Sequence, residues 1–206
     1  MGDEAPALTF CCKSIRGPYN TAHMHSFFWA ALLLLAACGG PEANPVSQDP
    51  YERFLGAREL VGRTDAQAMT QLVSMLDDQH YLVVVGALDV LATHRRPELL
   101  QHFVPKLKHR HPMVRQSACA GIGAIRNEDG VPGLVEALKD PDPAVRRSAL
   151  KALAEFPRNP GAKRALVESV GDKDPSVSYM AHRLLGEITG RKDVPKSKDD
   201  WARAVQ

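Results

Sequence analysis

Aromatic residues are scarce in this chain: Phe, Trp and Tyr make up 6% of its 206 residues, while Ala and Leu recur throughout. That balance disfavours a β-sandwich and favours closely packed helices. An excess of one charge is also lacking. The 26 basic and 24 acidic residues intermix to a formal net charge of +2, so no long basic field exists to hold a phosphate backbone, and no nucleic-acid partner is expected. Cysteine is limited to positions 11, 12, 38 and 119. The uncharged apolar run from Phe27 to Ala37 is eleven residues. As a helix it reaches about 16 Å, against about 30 Å of hydrocarbon, too short to cross a bilayer comfortably.

That run fits the hydrophobic stretch of a secretory signal, with Lys13 and Arg16 upstream and small residues at its end. Leu35-Ala36-Ala37-Cys38, followed by Gly39-Gly40, resembles the lipobox of bacterial lipoproteins. The resemblance implies a lipoprotein signal peptide over residues 1–37, cleavage before Cys38, and diacylation of Cys38 as the membrane anchor. Gly39 in place of Asp points, by the same resemblance, to the outer membrane facing the periplasm. A plain signal peptide or a buried apolar helix with a chance cysteine is the alternative. Met24 is a second possible start, because the preceding stretch is long and carries Asp3 and Glu4. Residues 38–50, rich in Gly, Pro, Asn and Ser, read as a flexible tether. Cys119 is then the one thiol left outside the signal and anchor, so no internal disulfide framework supports the fold.

The rest of the chain repeats. Leu76, Leu107, Leu138 and Val170 stand 31, 31 and 32 residues apart, and neighbouring positions fall into columns of matched type. Leu72, Phe103, Leu134 and Leu166 precede them by four residues, and Val73, Val104, Val135 and Val167 by three, which outlines the apolar face of one helix. A second helix follows, with Val83, Val114, Val145 and Val177, then Ala87, Ala118, Ala149 and Ala181, then Leu91, Ile122, Leu153 and Leu185. Alanine in all four copies marks where the two helices lie close together. Pro112, Pro143 and Pro175, the last two preceded by Asp142 and Asp174, supply the helix start: aspartate accepts from free amides, and proline at the first position forfeits no hydrogen bond.

These residues, Asp140-Pro141-Asp142-Pro143-Ala144-Val145-Arg146 above all, resemble the HEAT-like repeats of phycobilisome-lyase type. The resemblance implies an all-α fold, an α-α superhelix or HEAT-like solenoid of four helix-pair repeats over residues 65–189. A capping helix over 51–64 precedes it, and a charged linker with a C-terminal capping helix over 190–206 follows, with Trp201 expected to fold back on the last repeat. It also implies that the second helices line the concave face.

Arg115 and Arg146 occupy equivalent positions on second helices. They can pair with an inter-helix aspartate such as Asp140, Asp142 or Asp172, or join Arg147, Lys151 and Arg183 as a basic inner surface for a partner. His94, His102, His109 and His111 cluster with Arg and Lys around the second unit and read as a solvated edge that could meet an acidic partner or lipid headgroups. Deoxyhypusine hydroxylase, a HEAT-like enzyme, binds two irons through His-Glu pairs, but no His here is followed by Glu. His182 reads as a terminal variant of a core column and Cys119 as a small core hydrophobe rather than a nucleophile. The expectation is a lipid-anchored scaffold that is not an enzyme and binds a protein partner through the concave face, with no cofactor, metal or small-molecule substrate. An accessory subunit or lyase-type enzyme acting on a protein-bound chromophore is the alternative.

Overall fold

The computed structural model describes residues 47–190 and 197–205. The signal peptide expected over 1–37, Cys38, all but the end of the tether and residues 191–196 of the linker lie outside the described residues.

Asp142 holds extended backbone and accepts the Ala144 N–H at 2.8 Å, and Pro143 then opens a helix. Asp174 does the same for Ser176 at 2.9 Å. Repetition of this start, with Asn159 and Asp65 capping first helices, cuts the described chain into helices alone. They are α1 (Pro50–Glu59), α2 (Ala66–Ser74), α3 (Tyr81–Thr93), α4 (Leu100–Phe103), α5 (Pro112–Ile125), α6 (Val131–Ala137), α7 (Pro143–Ala154), α8 (Pro160–Glu168), α9 (Pro175–Thr189) and α10 (Lys198–Ala204). Tight 3-10 turns continue α2, α4 and α8 over Met75–Asp77, Val104–Lys108 and Ser169–Gly171. The pairs α2/α3, α4/α5, α6/α7 and α8/α9 are the four expected units, stacked so that α1, α3, α5, α7 and α9 pack in succession.

The second-helix columns form the core. All twelve residues of the Val, Ala and Leu/Ile columns are 0% exposed. Each Val, Leu or Ile there contributes about 1.5–3 kcal/mol of burial. The first helices follow the pattern less closely. Leu72, Phe103, Leu134 and Leu166 are buried, but of Val73, Val104, Val135 and Val167 only Val167 is, and it lies beside α10. Val104 is exposed where Pro105, which lacks an N–H, accompanies the change from α-helix to 3-10 turn and rotates the face.

Both ends are covered. Trp201 of α10 is fully buried, and its indole N–H donates to His182 Nδ1 at 2.9 Å. At the other end α1 packs on α3 as the second helix of a partial further unit: Asp49-Pro50 stands 31 residues before His80-Tyr81, and Asp49 caps α1 by accepting from the Tyr51 N–H at 2.8 Å. Gly86 makes room for it, since a Cβ there would lie 2.7 Å from Phe54 Cδ2.

Candidate functional site

Arg115 and Arg146 are turned inward. Arg146 donates from Nε and Nη2 to the two carboxylate oxygens of Asp172 at 2.8 and 2.9 Å, and from Nη1 to the carbonyl oxygens of Asp140 and Pro141 at 2.8 and 3.2 Å. Arg115 repeats the arrangement with Asp140 at 2.6 and 2.8 Å and with the carbonyls of His109 and Arg110 at 2.9 and 3.3 Å. Each guanidinium thus fastens the junction before its own helix to the turn of the next unit. Arg53 of α1 makes a third rung with Asp78 and the carbonyls of Ser47 and Gln48. The spacing reveals it: Arg53 precedes Val84 by 31 residues, and Val84 precedes Arg115 by the same. Asp142 joins the system by donating its N–H to Asp140 and capping α7.

The rung at Val84 and His109 is apolar on one side. His109 occupies the aspartate position, and its Nδ1 accepts the His111 N–H at 3.0 Å, while His111 Nδ1 accepts the Met113 N–H at 3.3 Å. His111 also stacks on Tyr81, with ring centroids 3.6 Å apart. These histidines therefore stand in for aspartate caps and must be unprotonated at Nδ1 to do so. Burial first, and then the charges of Lys106 and Arg110, hold the His109 pKa below its ordinary value of 6.5. A folded pKa below the unfolded one means stability that is present above about pH 6.5 and lost as pH falls. The melting temperature is expected to drop between neutral and mildly acidic pH, and His109→Asn, which keeps an acceptor that does not titrate, should flatten that slope. An unchanged slope in the variant would show that His109 does not contribute.

The other candidates face outward on second helices. Arg147 donates to Ser176 Oγ at 2.7 Å and Arg183 to Glu187 at 2.9 Å, whereas Lys151 has no ion-pair partner among the described residues. Lys151 lines an open cleft of about 450 Å³ between α5 and α7, floored by Ala120, Gly123 and Ala152 and rimmed by Arg95, Arg126 and Glu155. Arg95 and Arg126 are the missed members of this surface. They end α3 and α5 at equivalent positions with left-handed backbone, φ 50° and 56°. Nothing in their residue type signals that conformation.

Cys119 is fully buried, and burial pushes its thiol up to about 12, which suits a core residue and not a nucleophile. Among the described residues no group of three or more His, Cys, Asp or Glu converges as a metal site, and no helix is long and apolar enough to cross a membrane. The buried Nδ1 of His80 and Nε2 of His94 have no protein partner.

Comparison with known proteins places these features in context. A model of HEAT repeats matches residues 69–140 and 131–199. Deoxyhypusine hydroxylase of Eremothecium gossypii is 32% identical over 105 residues, 50% of this chain and 33% of its own length, so the chain spans about a third of that relative. The E. coli protein YibA shares the fold with a TM-score of 0.60 at 16% identity, over 93% of this chain and 88% of its own. A chain of the Pds5–Scc1 complex does so at 0.58 and 12%, over 89% and 32%.

The hydroxylase overturns one expectation. A stretch covering half of this chain is similar to part of an enzyme, which contradicts the expectation of a chain that is not an enzyme. The two-iron His-Glu arrangement does not fit the residues present: no His is followed by Glu, His109 and His111 cap a helix junction, and His182 receives the Trp201 N–H.

Proposed function

Because the chain belongs to the HEAT-repeat family, we propose that it is a protein-binding scaffold that engages another protein on its second-helix face. In this reading Cys38 ties it to the outer membrane, and the repeats face the periplasm. The observation that carries the binding face is the placement of exposed apolar side chains. Of the five large ones among the described residues, Tyr51, Met113 and Tyr179 lie on second helices, at 60%, 42% and 70% exposure. Tyrosine and methionine are enriched at protein–protein interfaces relative to the rest of the surface. The Pds5–Scc1 complex supports the reading through its protein–protein assembly on a similar fold. The hydroxylase relative favours a second reading, in which the repeats form part of an enzyme; a chromophore or metal copurifying with the full chain would support it.

The anchor is tested by Cys38→Ala and by globomycin, each expected to block processing at this site. Continued cleavage with unchanged membrane partition sinks it. Crosslinking in the native membrane is expected to recover one defined protein partner, and a chain that yields no adduct counts against the scaffold.

A further inference from the structure

The cleft between α5 and α7 carries positive charge that the fold does not use. Arg126 pairs with Glu155, but Arg95 and Lys151 line the same cleft with no ion-pair partner among the described residues. The floor is thin: a Cβ on Gly123 would lie 2.9 Å from Ala152 Cα, so the two helices touch there and leave a shallow trough of methyl groups. The cleft between α1 and α3, by contrast, is lined by charges of both signs, Arg58 and Asp89.

Arg95 and Arg126 deepen the contrast. Left-handed backbone at a helix end favours glycine, and α9 ends with Gly190 at φ 66°. The α3 and α5 helices end with arginine instead, in a conformation that any Cβ disfavours. Capping alone selects glycine; arginine adds a cation over the trough. Its interaction with the negative end of the helix dipole is a structural benefit, and it is separable by experiment.

We propose that this cleft binds an acidic segment of the partner protein, its carboxylates held by Arg95, Lys151 and Arg126 and its aliphatic groups laid on Ala120, Gly123 and Ala152. The proposal rests on the second-helix face being a protein-binding surface, and it assigns to that face the chemistry of what it takes. Opposite charge across a rim speeds encounter and selects partners, and here it rejects basic segments.

The test uses the mature chain with three probes: a labelled peptide alternating Glu and Ala, about four helical turns long, its Lys-for-Glu counterpart, and inorganic phosphate. The Glu peptide is expected to bind, with affinity that falls as salt rises. The double variant Arg95→Gly with Lys151→Gln should weaken it about tenfold, while Arg164→Gln on the outer helix α8 leaves it unchanged. Arg95→Gly alone should keep the melting temperature or raise it by about 2 °C, because the residue's backbone is relieved. Weaker binding with equal or higher stability assigns the arginine to the ligand and not to the cap. Wild-type affinity in the double variant, equal binding of the Lys peptide, or displacement by phosphate as readily as by peptide overturns the acidic-segment assignment. If crosslinked partner adducts still form at Met113 or Tyr179 in those cases, the protein-binding face stands; if none forms on any second helix, both fail.

Discussion

Replacing Arg146 by alanine is expected to lower the free energy of unfolding by about 3–5 kcal/mol. The residue is 4% exposed, and its three donor nitrogens serve the Asp172 carboxylate and two carbonyls at once. Truncation leaves those acceptors in a site with little water to replace the guanidinium. Arg146→Lys should recover only part of the loss, since an ammonium cannot match the fork that spans Asp172. Urea unfolding of the wild-type and variant chains checks this, and a cost below about 1 kcal/mol would place the pair with exposed ion pairs. The rungs also predict acid sensitivity. Burial alone would raise Asp140, but the bonds from Arg115 and the Asp142 N–H outweigh it, and Asp78 is lowered by its bond from Arg53. Folded values below the ordinary 3.8 mean stability that is present above that pH and lost as pH falls through the lowered values.

Gly121→Ala is expected to destabilise by about 1–3 kcal/mol, against the gain of about 1 kcal/mol that the same change brings inside an unobstructed helix. A Cβ at this position would lie 2.0 Å from Phe103 Cε1 and 2.4 Å from Cδ1, and Phe103 is itself fully buried. The sign of the measured change therefore decides whether α5 rests against that ring. Phe103→Leu in the same chain should cost less beside Gly121→Ala than alone, because the smaller side chain vacates the clash. Thermal unfolding of the two single variants and the double variant completes the cycle, and simple additivity would contradict the contact.

Packing was legible in the sequence where the same residue type recurs in phase. Val145, Ala149 and Leu153 have counterparts in every unit, and all occupy the core. Asp140 and Asp172 were legible as partners for Arg115 and Arg146, although the choice between inner rung and outer surface needed coordinates. Arg53 and Asp78 escaped notice because Val84 breaks the series and α1 has no first helix of its own kind among the described residues. The signal was present in Asp49-Pro50 followed by Arg53, which repeats Asp142-Pro143 followed by Arg146. His109 and His111 read as an exposed basic edge by residue type, whereas their place in the aspartate columns makes them acceptors. Arg95 and Arg126 were illegible for a different reason: membership of the cleft depends on a left-handed turn that their residue type does not encode. Catalysis, too, lies beyond what a repeat pattern decides, since the same scaffold carries enzymes and adaptors alike.

In the scaffold reading, the second helices carry the recognition surface. A photoreactive residue placed singly at Met113, Lys151 and Tyr179 on second helices, and at Gln101, Glu136 and Arg164 on first helices of the full chain in cells, tests this placement. The prediction is partner adducts from the first set and none from the second. Adducts confined to the first helices, or shared equally between the two sets, would contradict it.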